Sequence, residues 1–228
     1  MGAKSFLMCD VTRFNKRDYM IPIQKDLFEQ NEDFEGESEI TIKLINRDYH
    51  MEFDQYRCHH DFVHNKSGRV FNKSFTHYFE PIDFYTYYNE NINLAFIQAK
   101  TEISLDFIHK LNLTKNYEMG PVNIDFRKMI PHITEVAGAW IADLKRAHLK
   151  TAGFFGPNVH KSEEYIEAAS EGDVSSIQMK YISQKTKEEH FVTISKKGSI
   201  VLYETFPTIE EEIDIVYEIY DKFINPHV

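Results

Sequence analysis

Residues 175–223 read SSIQMKYISQKTKEEHFVTISKKGSIVLYETFPTIEEEIDIVYEIYDKF, and this stretch decides the fold class. Three β-prone runs come first, at 175–183, 190–195 and 199–204, and Lys197-Gly198 supplies the sharpest turn between them. Thr208 followed by Glu211 then forms a capping box, with Ile209, Ile213, Val216, Tyr220 and Phe223 on one face of the helix that follows. Strands gathered between helices, rather than strictly alternating with them, argue for α+β over a doubly wound parallel sheet. The predicted fold is therefore α+β. Its C-terminal half is an antiparallel three-stranded meander flanked by helices, and its N-terminal half is β-rich and ends in a helix.

Upstream, residues 162–169 read as a short helix. Thr134 starts another, with Val136, Trp140 and Leu144 as its stripe and Gly153 and Gly156 bracketing a tight turn at its exit. Residues 122–126 read as a strand. In the first half, Thr101 caps a helix carrying Ile103, Phe107 and Leu111 at four-residue spacing, after a buried strand at 91–99. The aromatic stretch 70–88 is β-prone but interrupted by Pro81, which cannot donate to an interior ladder. A turn falls at 65–68. Alternation at 40–45 and 49–54 predicts a hairpin turning at Asn46-Arg47-Asp48. Residues 29–39 carry six acids and no base and read as a solvated loop, 21–28 as a short helix and 5–14 as a strand. The chain divides into a β-rich region, 1–118, and an α+β region, 119–228, in one compact domain or two.

With 228 residues, 42% of them apolar, the chain has enough material for a core without disulfide or metal staples. Disordered, collagen-like and disulfide-scaffold classes are excluded. No apolar run approaches the ~20 residues of a membrane span, so no bilayer crossing is expected. Two cysteines and an N-terminus without an apolar signal core make the cytoplasm the expected compartment, and Gly2 lacks the Ser or Thr at position 6 that myristoylation wants. The net charge of −10 is shared evenly, −5 in residues 1–118 and −5 in 119–228. Extended binding to nucleic-acid backbones thus starts with a handicap. Abundant Lys, Asn, Ile, Phe and Tyr, residues of AT-rich codons, keep a host-parasite conflict role, defence or counter-defence, among the expectations.

The densest set of candidate metal ligands is His59, His60, Asp61 and His64, beside Cys58. Imidazole and carboxylate together suit Zn, Mn or Fe. In a helix His60 and His64 would share a face. In a strand they stand about 13 Å apart, too far for one ion, and the flanking Tyr56, Phe62 and Val63 favour a strand edge near a turn. A metal-dependent nuclease would instead use Gln98-Ala99-Lys100 or Gln178-Met179-Lys180 with Asp83, Glu163 or Glu164 upstream. No Gly-x-Ser-x-Gly elbow, GxGxxG or GxxxxGK[ST] loop is present, so no cofactor is expected, and a divalent metal only under the hydrolase reading.

The aromatic residues between Phe75 and Tyr88 lack cations for stacking a nucleic-acid strand, since no Lys or Arg lies between Lys73 and Lys100. Cations gather later, at Arg127-Lys128, around Lys145-Arg146 and Lys150, and at Lys180, Lys185, Lys187, Lys196 and Lys197 on the C-terminal sheet. The last group is the candidate nucleic-acid surface. Between Glu204 and Asp221 seven acids occur without a base, and Glu210, Glu211, Asp214, Glu218 and Asp221 lie off the main apolar stripe of the last helix. That face would attract a basic protein partner. Ile215 and Ile219 widen the apolar surface, so the helix is either buried on two sides or paired, self-association being the simplest case. The leading functional expectation is a cytosolic protein that binds another macromolecule through acidic surfaces. A metal-dependent hydrolase and a nucleic-acid binder are the alternatives.

Overall fold

The computed structural model describes residues 3–22 and 39–227. The acidic segment 29–38 and most of the expected helix at 21–28 lie outside them, while residues 21 and 22 belong to a strand. Among the described residues the protein is mixed α+β with sheet predominating, and no helix is long and apolar enough to cross a membrane. The chain falls into two compact units: residues 9–120, and residues up to Met8 together with those from Pro121 on.

The unit of residues 9–120 takes the second half of β1 (Lys4–Arg13), then β2 (Tyr19–Pro22), β3 (Glu39–His50) and β4 (Phe53–His64). There follow β5 (Gly68–Val70), β6 (Lys73–Phe75), β7 (Tyr78–Asn89), β8 (Leu94–Ile97), α1 (Thr101–Leu113) and β9 (Glu118–Pro121). Its strand order is β1-β8-β7-β4-β3-β2, with β9 beside β1 and β5-β6 a separate hairpin. The expected hairpin of β3 and β4 forms, but its turn is Met51-Glu52, with φ of 50° and 63°, and not Asn46-Arg47-Asp48. Asp48 (φ 47°) sits instead in a register shift between the Asn46↔Gln55 and His50↔Phe53 pairs. Short polar residues tolerate left-handed backbone, so a bulge recruits the residue types that mark a turn.

β7 runs through Pro81 without a break, because there it pairs with β4 alone, the pairing with β8 covering only Thr86 to Asn89. The buried strand expected at 91–99 narrows to Leu94–Ile97, all four buried, while residues 91–93 form an exposed turn. α1 lays Ile103, Phe107 and Leu111 on the sheet, with the Phe107 and Phe84 rings edge-to-face at 4.9 Å. Its cap position is Lys100, without a side-chain cap, and Thr101 is already helical.

The other unit contains residues 4–8 of β1, then α2 (Phe126–Met129), β10 (Glu135–Ala142), β11 (Ala152–Phe155), α3 (Glu163–Glu171), β12 (Asp173–Ile182), β13 (Glu189–Ser195), β14 (Ser199–Leu202) and α4 (Ile209–Ile219). The strand order is β11-β10-β12-β13-β14-β1, antiparallel at each junction. The helix expected from Thr134 is the strand β10. Register shifts between Val136 and Gly138 and between Trp140 and Ile141 break its two-residue alternation, leaving Val136, Ala139 and Ile141 buried and Trp140 only half-buried, so the expected stripe of Val136, Trp140 and Leu144 is not a single face. Gly153 lies within β11, and Gly156 (φ 141°) follows it. The expected strand at 122–126 is displaced to β9; Val122 and Ile124 are buried, and their N–H groups donate to the carbonyls of Met8 and Lys196.

On β12, Ile177, Met179 and Tyr181 share a face with Val192, Ile194, Ile200 and Leu202 of the next two strands. This is the buried face. α4 is buried broadly, through Ile213, Val216 and Ile219 and also Ile215, Glu212 and Asp214. Ile215 and Ile219 therefore pack within the chain. The Thr208 hydroxyl accepts from Glu211 N at 3.3 Å, as the sequence indicates, and the Ser162 hydroxyl caps α3 by accepting from Tyr165 N at 3.2 Å.

Candidate functional site

Among the described residues the last register pair of β3 with β4 is Ile40↔His60, beyond which Glu39 N donates to Asp61 Oδ2, and the last of β8 with β7 is Ile97↔Thr86, beyond which Gln98 N donates to Tyr85 O. Among the described residues, 61–64 and 78–81 therefore form a two-stranded ribbon, followed by the small hairpin β5-β6. Together they make an arm. The base of the arm carries the four residues singled out as metal ligands, and strand alternation sorts them onto opposite faces.

His59 and Asp61 lie on one face. His59 Nδ1 is 3.1 Å from Asp83 Oδ1 and its Nε2 is 3.3 Å from Asp61 Oδ1, so the two carboxylates hold different nitrogens and cannot meet at one ion with it. The hydrogen bond from His59, helped by the Arg57 charge, holds the Asp83 carboxyl below its ordinary range. His60 and His64 lie on the other face. His60 is fully buried and donates from Nε2 to Asp106 Oδ2 of α1 at 2.8 Å, where Lys110 also pairs with that carboxylate at 2.9 Å. His64 Nε2 is 2.6 Å from Glu80 Oε2. The three imidazoles thus share no carboxylate. Among the described residues no three His, Cys, Asp or Glu side chains gather in a metal-holding group. Cys58 offers no nucleophile at neutral pH, because burial pushes its thiol up to about 12 against a hydrogen bond to Thr86.

From His60 outward an aromatic ladder runs along that second face. His60 and Phe62 are 6.2 Å apart, Phe62 and His64 5.1 Å, His64 stacks on Tyr78 at 4.8 Å, and Tyr78 meets Phe75 edge-on at 6.2 Å. Phe75 in turn covers Gly68, where a Cβ would come within 2.4 Å of its ring. A two-stranded ribbon alone is marginal in water, and ring pairs of this kind contribute about 0.5–1.5 kcal/mol each beyond area burial. The ladder is what stiffens the arm.

At the tip, Phe71 and Asn72 form a two-residue turn with φ of 45° and 65°. Asn suits this backbone, but a bulky ring there costs about 1–2 kcal/mol. Phe71 is also 97% exposed and its neighbour Val70 52%. The bulky Met51 sits in similar backbone, yet its turn is tied down by Asn89 Nδ2 donating to Met51 O and Asn91 Nδ2 donating to Glu52. Around the tip, Lys66, Arg69 and Lys73 are exposed and make no ion pair within the described residues, and no acid occurs in residues 62–79. The sequence reading missed this site. Its visible signal is an 18-residue acid-free run with three cations in an acidic chain. The comparable run at 144–162 differs in that Arg146 is taken up by Glu167 and Glu171.

The other candidate residues lie in the second unit. Lys180 pairs with Glu189 at 2.7 Å and Glu135 at 3.8 Å, Lys185 with Asp214, and Lys196 with Asp173 at 2.9 Å. Lys187 and Lys197 are exposed but sit at opposite ends of β13, whose seven residues span roughly 24 Å. The five lysines therefore do not converge. Of the acids on α4, Asp214 is buried, and Glu218 accepts from Tyr181 Oη at 2.7 Å and Gln184 N at 2.9 Å. Glu210 and Glu211 are half-exposed and Asp221 is exposed. A shallow depression beside them is lined by Lys185, Thr186, His190, Phe206, Glu211 and Asp214. In it His190 Nδ1 is 2.6 Å from Glu204 Oε2. Of the nuclease residues, Asp83 is occupied by His59 and Arg57, in a different unit from Gln178, Lys180, Glu163 and Glu164. Gln98 and Lys100 follow β8, where Gln98 N donates to Tyr85 O.

No family model matches the chain, and no curated protein matches it in sequence.

Proposed function

We propose that this protein acts by binding an anionic macromolecule and that the arm of β4, β7 and the β5-β6 hairpin is the contact element. The observation that carries the reading is Phe71. It is kept almost wholly in water on a backbone that disfavours it, between Arg69 and Lys73, which make no ion pair among the described residues. Exposure and backbone strain at one residue are two separate costs, and strain of this kind clusters where a ligand is held. The helix acids support a docking role less well, since Asp214 and Glu218 are engaged with Lys185, Tyr181 and Gln184.

Heparin, a polyanion without bases, tests the reading. The full chain is expected to be retained at low salt and eluted by moderate salt, despite its net charge of −10. The combined Lys66→Glu, Arg69→Glu and Lys73→Glu variant should pass through with an unchanged circular dichroism spectrum. Equal retention of both proteins would remove the arm from the contact.

A further inference from the structure

Building on the arm as the contact element, we infer that its partner is double-helical DNA, with the ribbon lying in a groove and the Phe71 ring wedged between base pairs. Three features point there. Two-stranded β-ribbons enter the grooves of B-form DNA, and proteins that wedge an apolar side chain between base steps do so from the minor-groove side. The cations flank the tip on both strands, Arg69 on β5 and Lys73 on β6, with Lys66 at the approach. Phosphates run along both edges of a groove, so cations on both strands of the hairpin are placed to meet them.

The apolar tip supplies the third feature. DNA-bending proteins insert a lone apolar side chain between base steps, and the ring needs to project beyond its own backbone to enter the stack. Phe71, at the first turn position and 97% exposed, projects in this way. Arms built to lie on a membrane bury a broad apolar face. Here the apolar tip is only Phe71 and Val70, ringed by Arg69, Asn72 and Lys73. The aromatic ladder from His60 to Phe75 gives the wedge a rigid mount.

Fluorescence anisotropy of a labelled DNA duplex, with end-to-end energy transfer to read bending, tests the inference. Three phosphate contacts predict a slope of about −2.7 for log affinity against log salt concentration, reduced by about one for each of Lys66→Ala, Arg69→Ala and Lys73→Ala. Phe71→Ala should leave the slope unchanged, weaken binding roughly tenfold or more and abolish the bend. Phe71→Asn, which suits the left-handed backbone, should do the same while holding or raising the melting temperature, so lost binding is not lost folding. Three results would overturn the inference: tighter binding to single strands than to the duplex, binding to anionic lipid vesicles but not to DNA, or a Phe71→Asn variant that bends DNA like the native chain. Heparin retention with no duplex binding would overturn the DNA partner alone. Loss of both would overturn the arm as the contact.

Discussion

His60 is fully buried, and one ring nitrogen, Nδ1, has no hydrogen-bond partner within the described residues. The bond from Nε2 to Asp106 is what offsets that burial. At Asp106 desolvation pushes the carboxyl up, but the hydrogen bond from His60 and the Lys110 ammonium together outweigh it, and the net position is below the ordinary range. Asp106→Ala should cost about 1–3 kcal/mol in urea unfolding at neutral pH, because it orphans a buried donor. The pH dependence has a definite sign. A carboxyl lowered in the folded state stabilises above its unfolded value near 3.9 and loses that contribution as pH falls through the folded value. The gap between native and variant should therefore close on acidification. If it stays constant down to the acid transition, the pair is not what holds α1 to β4. None of this pairing is legible in sequence. His59, His60, Asp61 and His64 stand out by composition, but Asp83, Asp106 and Glu80 come from 16 to 46 positions away.

Elements were readable where one signal acted alone. α4 has Thr208 at its cap and apolar residues at helical spacing, and β13 and β14 are joined by Lys197-Gly198. β10 was unreadable because two irregularities in one strand shift its buried side chains out of alternation. The β13-β14 turn shows how strictly such junctions bind. Gly198 has φ 75°, and a Cβ there would lie 2.6 Å from Val122 O and 3.1 Å from Met8 O. Backbone oxygens cannot rotate away as a side chain can. Gly198→Ala should thus destabilise by roughly 2 kcal/mol or more, compounding left-handed strain with a backbone clash. Thr208→Ala removes only the cap of α4 and should cost about 1 kcal/mol. Thermal unfolding of the two variants should rank them in that order. The reverse ranking would mean that the Val122 segment yields easily and that α4 depends more on its cap than on Ile213 and Val216.

At the scale of the whole molecule, the proposed anionic partner would meet a net repulsion from the charge of −10 and an attraction at the cationic, aromatic arm. Long-range charge governs encounter, whereas contacts govern release. Lys187 and Lys197 separate these two effects, being exposed, without ion pairs among the described residues and outside the arm. Reversing both to Glu takes the net charge from −10 to −14 without touching the arm. Stopped-flow association with a DNA duplex should then slow several-fold at low salt, with dissociation unchanged. At about 1 M salt, where the Debye length falls to ~3 Å, the association rates should converge. A faster dissociation in the Lys187→Glu, Lys197→Glu variant would mean that these lysines touch the partner. In that case the C-terminal sheet, rather than the arm alone, would form the contact surface.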